Sequence, residues 1–186
     1  MSKTMKPINY KNYPQCMFAV ISAYLPTDEA SEVRKAAGKV MFRHTDENGS
    51  TYRNGLLHSF NDEPAVVNSI SKMWYKDGEK HRDGDLPAVE ESNGTKWWYR
   101  HDKVHRDGEL PAVELSTGVK YWCKEGNFHR EGDLPAIESD DGHLSHWYIN
   151  GLRHRDNQLP AVIIQGLRHE FWENGVLVRR QQYIFD

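Results

Sequence analysis

"HRDGELPAVE" stands at residues 105–114, and near-copies stand at 81–90 ("HRDGDLPAVE") and 129–138 ("HREGDLPAIE"). His58, His81, His105, His129 and His154 follow one another at 23, 24, 24 and 25 residues. Pro64, Pro87, Pro111, Pro135 and Pro160, each followed by Ala, keep the same four spacings. Self-similarity at such a period marks stacked units, none of which can bury its own apolar face alone. Five units carry the His…Pro-Ala core, and "FWENGVLVRR" (171–180) is a truncated sixth with Val178 in the place of His. The repeat therefore occupies residues 50–180, between an N-terminal segment, 1–49, and a short tail, 181–186.

Turn chemistry locates the strands. Asn54-Gly55, Asp77-Gly78, Glu125-Gly126, Asn150-Gly151 and Asn174-Gly175 each separate short aromatic and polar runs. Such pairs close two-residue hairpins, because a type I′ turn needs positive φ at both positions. Further turns fall at Asp83-Gly84, Asp107-Gly108 and Glu131-Gly132, and at Asn93-Gly94, Thr117-Gly118, Asp141-Gly142 and Gln165-Gly166. Only strands of three to five residues fit between them, and no stretch of 50–180 is long enough for a helix. The expected fold is all-β: an elongated single-layer array of hairpins.

The hairpin count also sets a register. A turn at Asp77-Gly78 pairs Tyr75 with Lys80 and Trp74 with His81, and the same count opposes Trp98 and His105, Trp122 and His129, Trp147 and His154. Directly opposed side chains share a face about 5 Å apart, so each His is expected to pack on a Trp. The Arg that follows is expected on the opposite face, by strand alternation. Leu-Pro-Ala would fill space beside the ring and end the pairing, since Pro cannot donate to a ladder.

Residues 1–49 break the pattern. "TDEASEVRKAAGKV" (27–40) offers Thr27 as N-cap, acids early and bases late, which favours a helix. "CMFAVISAYL" (16–25) is a buried strand or a short helix; periodicity alone does not separate the two. Together they suit a small α/β cap over the first edge of the array. The run 16–25 is about half of the roughly 20 residues that span a bilayer. The segment before it is Asn/Tyr-rich, interrupted by Pro14 and followed by no clean cleavage site, which argues against a signal peptide. Two cysteines, Cys16 and Cys123, make no disulfide framework. A net charge of −3 advertises neither nucleic acid nor an anionic membrane. These features point to a reduced, cytoplasmic setting.

The units "WYKDGEKHRDGDLPAVE" (74–90) and "WYINGLRHR…LPAV" (147–162) resemble MORN-type repeats, in the His-Arg and Pro-Ala variant found in phage, giant-virus and some bacterial proteins. The resemblance covers about two-thirds of the chain. It implies a β-hairpin array used for protein contacts and, in some members, for phospholipid headgroups. It carries no catalytic residues, and no cofactor. A viral or phage factor of that kind would inhibit or sequester a host component, working in the host-cell cytoplasm.

Candidate chemistry is sparse. Equivalent histidines two or three strands apart lie roughly 10–14 Å from one another, too far for one zinc ion. Asp140, Asp141, His143 and His146 cluster near a turn, but at no closed-site spacing. Cys123 takes a Tyr slot and reads as a small hydrophobe. No nucleophile elbow, phosphate loop or carboxylate pair is present. Arg82, Arg106, Arg130 and Arg155 recur among aromatics, a pattern that can hold phosphate-containing ligands such as nucleotides, single-stranded nucleic acid or lipid headgroups. Against this, an acid one residue on (Asp83, Asp107, Glu131, Asp156) can neutralise each Arg. The unit pattern breaks most in the middle copies, where Trp97, Tyr99, His101, Val104 and Phe128 gather. These five are the candidate site for a protein partner.

Overall fold

The structure, a computed structural model, describes residues 43–183. The helix expected over 27–40, the apolar run 16–25 and Cys16 lie outside the described residues.

The described chain is all-β. One antiparallel sheet of 11 strands runs in chain order from Val66–Val67 to Val176–Gln182. Each complete unit contributes two of its strands, for example Val89–Glu91 and Lys96–Trp97. Between successive sheet strands the chain leaves to form a second, separate hairpin: Tyr75–Lys76 with Glu79–Lys80, Tyr99–Arg100 with Lys103–Val104, Cys123–Lys124 with Asn127–Phe128, Tyr148–Ile149 with Leu152–Arg153. The first unit instead makes a three-stranded sheet from Arg43–Thr45, Thr51–Arg53 and Leu56–Leu57. A series of antiparallel hairpins is therefore the architecture, as the turn pairs require.

The register is the one that the turns set. Tyr75 pairs with Lys80, Tyr99 with Val104, Cys123 with Phe128 and Tyr148 with Arg153. One step further out, the His81 amide donates to the Trp74 carbonyl at 3.1 Å, and His105, His129 and His154 do the same to Trp98, Trp122 and Trp147. Both turn residues have positive φ, even at His101 (49°) and Asp102 (61°), where no glycine is present.

What the sequence could not place is the arginine. The expectation that His covers the Trp while Arg faces away is overturned. Each Arg lies over a Trp ring, with guanidinium carbon to centroid distances of 3.8 Å (Arg82–Trp74), 4.0 Å (Arg106–Trp98), 3.6 Å (Arg130–Trp122) and 3.8 Å (Arg155–Trp147). Alternation governs side chains only inside a ladder, and the chain leaves the ladder at His, so Arg is free to fold back on the ring.

The Pro and Ala of the motif also have structural roles. The Ala after Pro is wholly buried in all five units (Ala65, Ala88, Ala112, Ala136, Ala161), and four of their carbonyls accept the amide of the unit's Trp at 2.8 Å. The Pro carbonyl accepts from Arg Nη1, at 3.3 Å for Pro87 and 3.1 Å for Pro111. The Leu stays exposed. The four tryptophans supply most of the core's large apolar area. Across the sheet, Lys72, Glu90, Lys96, Glu114, Lys120 and Glu138 stand in one row of alternating charge. Each opposed pair contributes about 0.2–1 kcal/mol.

The terminal half-unit differs. Arg168–Glu173 and Val176–Gln182 form one long hairpin within the sheet, with a bulge at Phe171/Trp172. Phe171 takes the Trp place, and Arg179 still lies 3.8 Å over it.

Candidate functional site

Units dovetail through two devices. In the first, an Asp two residues before the Pro clamps the Arg of the following unit. Asp62 holds Arg82 with both oxygens at 2.8 Å, Asp85 holds Arg106 at 2.7 and 2.9 Å, and Asp133 holds Arg155 at 2.9 and 3.0 Å. The carbonyl of the same Asp accepts from the next unit's indole, as in Trp98 Nε1 to Asp85 O at 3.0 Å. This places the ring and the guanidinium on one residue. The clamp acts on the acid as well: the bonded guanidinium holds Asp62, Asp85 and Asp133 below the ordinary carboxylate range.

In the second device, His joins its unit to the next turn. Nδ1 of His58, His105, His129 and His154 accepts the backbone N–H of Asp77, Glu125, Asn150 and Asn174 at 3.0–3.2 Å. An accepting Nδ1 leaves the proton on Nε2. Nε2 of His81, His105, His129 and His154 then meets Asp83, Asp107, Glu131 and Asp156 at 2.8–3.0 Å. So the acid next to each Arg serves the His, and the carboxylate for Arg arrives mainly from the unit before. Sequence reasoning missed Asp62, Asp85 and Asp133. Their recurrence 20–22 residues ahead of the Arg they clamp was the available signal.

Between consecutive units these residues line a row of similar grooves. One of about 250 Å³ is bounded by Arg82, Asp85, Leu86, Trp98 and Arg106, and the next, also about 250 Å³, by Arg106, Glu109, Leu110, Trp122 and Arg130.

The five residues expected to meet a partner fall in two groups. Trp97 is half-buried in the sheet between Val89 and Val113, and its Nε1 donates to Glu91 at 2.9 Å. It stacks on Tyr99 (centroids 6.5 Å, planes 28°), which pairs with Val104. Burial raises the Tyr99 phenol, and the Asp102 charge adds to this. Phe128 belongs to the next unit's cluster, 5.6 Å from Tyr121 and 5.2 Å from Tyr148. His101 stands apart at the exposed turn, its Nδ1 within hydrogen-bond distance of Glu79 at 2.7 Å.

Other candidates have structural engagements. Cys123 is buried, and desolvation pushes its thiol up to about 12. Asp140 bonds Lys120, Asp141 bonds Ser139 and the His143 amide, and His146 sits in the sheet between Ile137 and Val162. Burial lowers His146 to about 4. Among the described residues no three metal-ligating side chains converge, and no helix is long and apolar enough to cross a membrane.

Searches of known protein families, of curated proteins and of solved structures find no match to this chain.

Proposed function

We propose that this chain is a non-enzymatic interaction module of the MORN-like hairpin-repeat kind, which presents one face of its array to a protein partner. The observation that carries this reading is a division of labour between residues that repeat and residues that vary. The repeating Trp, His, Arg, Asp and Ala are engaged in building and joining units. The positions that differ from copy to copy, Met73, Trp97 and Tyr121 before the unit's Trp among them, each contact an aromatic side chain of the adjoining hairpin. Met73 contacts Tyr75, Trp97 stacks on Tyr99, and Tyr121 packs on Phe128. A rigid frame with a half-exposed aromatic surface suits recognition, because aromatic anchors dominate binding energy once a partner covers them.

The test compares capture of a partner from the source cell's lysate by the intact chain, by Trp97→Ala with Phe128→Ala, and by Leu177→Ala in the last unit. The partner identified with the intact chain is then titrated against all three purified proteins. Loss of affinity confined to the central double change supports the reading. Equal affinity with the fold intact removes it. The rival phosphate-binding reading rests on Arg82, Arg106, Arg130 and Arg155, and three of those four forks already hold an Asp.

A further inference from the structure

We propose that Arg130 receives a carboxylate carried by another molecule at its outer edge, where the preceding unit fails to supply the clamping Asp. The inference stands on the geometry of Arg130, independently of the aromatic surface proposed above.

Three sister arginines define the site. In Arg82, Arg106 and Arg155, Nη1 reaches the Pro carbonyl of its own unit, while Nε and Nη2 grip both oxygens of an Asp. Arg130 keeps the inner half of this arrangement. Its guanidinium lies over Trp122 at 3.6 Å, and Nη1 bonds Pro135 O and Glu138, each at 3.1 Å. The outer half is missing: Nε is buried with no hydrogen-bond partner.

The cause is a single residue. The clamping position in the preceding unit holds Glu109, where the others have Asp62, Asp85 and Asp133. Those three aspartates adopt left-handed backbone, with φ of 59°, 56° and 53°, whereas Glu109 has negative φ. Its carbonyl still accepts the Trp122 indole at 2.8 Å, so the backbone keeps its contact. Its longer side chain, leaving from a different backbone conformation, does not close on the Arg. A buried guanidinium donor without an acceptor is an unfilled demand, and the sister copies show what fills it: a planar group with two oxygens in the plane of the fork.

The surroundings admit such a group. The groove of about 250 Å³ beside Arg130 also contains Lys124, whose exposed ammonium stands 3.6 Å from Glu131. The other acids there are held: Glu131 by His129, Asp107 by His105 and Arg100. Glu109 itself also lines the groove.

The experiment reads the Nε–Hε signals of Arg82, Arg106, Arg130 and Arg155 by ¹H–¹⁵N NMR of the full chain. Sodium acetate, the capped peptide acetyl-Gly-Asp-Gly-amide, inorganic phosphate and sodium chloride are titrated at matched ionic strength. The expected result is a saturable shift of the Arg130 signal with acetate and with peptide, at least several-fold larger than for the other three. Glu109→Asp, which restores the pattern of the sister units, should abolish it. Tighter response to the peptide assigns a protein-borne carboxylate, and equal response a free small one. A shift shared by all four arginines, reproduced by chloride, or retained in Glu109→Asp overturns the proposal. Saturation by phosphate at lower concentration than acetate overturns the carboxylate assignment. None of these outcomes bears on Trp97 and Phe128, so the two proposals fail separately.

Discussion

His81 and His101 meet across a unit boundary with ring centroids 4.5 Å apart and planes at 45°, and Nδ1 of His81 has no hydrogen-bond partner. In the four sister boundaries that nitrogen accepts a turn amide. Here the turn begins with His101, whose ring is drawn to Glu79. His101→Asn copies the turns at 150 and 174 and should bring the amide to His81. A recovered buried hydrogen bond is worth about 1 kcal/mol. Denaturant unfolding should show a gain of that order; a loss would mean that the His101–Glu79 pair outweighs the orphaned nitrogen.

Trp98 is only 6% exposed, donates to Asp85 and carries Arg106 on its face. Trp98→Ala removes the indole's burial and both contacts, and should cost about 3–5 kcal/mol. Trp98→Phe retains a face for the guanidinium and loses the indole bond, so its cost should be clearly smaller. Equal losses for the two would show that the stacked Arg contributes nothing.

Asp85 and Glu109 occupy equivalent positions with different engagements. Asp85→Ala leaves Arg106 without its carboxylate and should cost about 1.5–3 kcal/mol, the usual range for hydrogen bonds to charged groups. Glu109→Ala should change stability by no more than about 0.5 kcal/mol, as for an exposed site without a special role. The pair of unfolding curves is the check, and a Glu109→Ala loss matching that of Asp85→Ala would refute the distinction.

Two imidazoles are held low by burial, His58 and His146, the latter to about 4. The Arg53 charge lowers His58 further, and Arg153 does the same for His146. Between the ordinary His value of about 6.5 and these lowered values, the unfolded chain binds more protons than the folded one. Stability is therefore complete above about pH 6.5 and declines as pH falls toward 4. Melting temperatures across that window should drop for the intact chain, and less steeply for His146→Leu.

The Cys123 thiol, buried and raised to about 12, should resist alkylation in the folded chain at mildly alkaline pH. Iodoacetamide labelling of a Cys16→Ser protein, followed by mass spectrometry, should show modification only after denaturant is added.

The hairpins and their register were legible because both depend on local facts. Asn-Gly and Asp-Gly pairs force the turns, and counting outward from a two-residue turn fixes every opposed pair, including Tyr99 with Val104. The Arg–Asp clamps were not legible, because they join residues 20–22 apart after the chain has left its ladder, where alternation predicts nothing. The candidate patch was legible in part. Trp97, Tyr99 and Val104 come together by strand adjacency, but Phe128 belongs with Tyr121 and Tyr148. Tyr121 lies in a sheet strand and Phe128 in the separate hairpin, and only the three-dimensional path through Trp122 brings them into contact.

The clamps that join Asp62 to Arg82, Asp85 to Arg106 and Asp133 to Arg155 never skip a unit. A recombination event that exchanged one of these copies for another, or inserted an extra copy, would give each Arg an accepting Asp of the same kind. The chain's length is thus open to change in whole copies without a new solution for the joints. The Glu109–Arg130 joint carries an identity of its own, and duplication of that unit would multiply its unpaired Nε along the array.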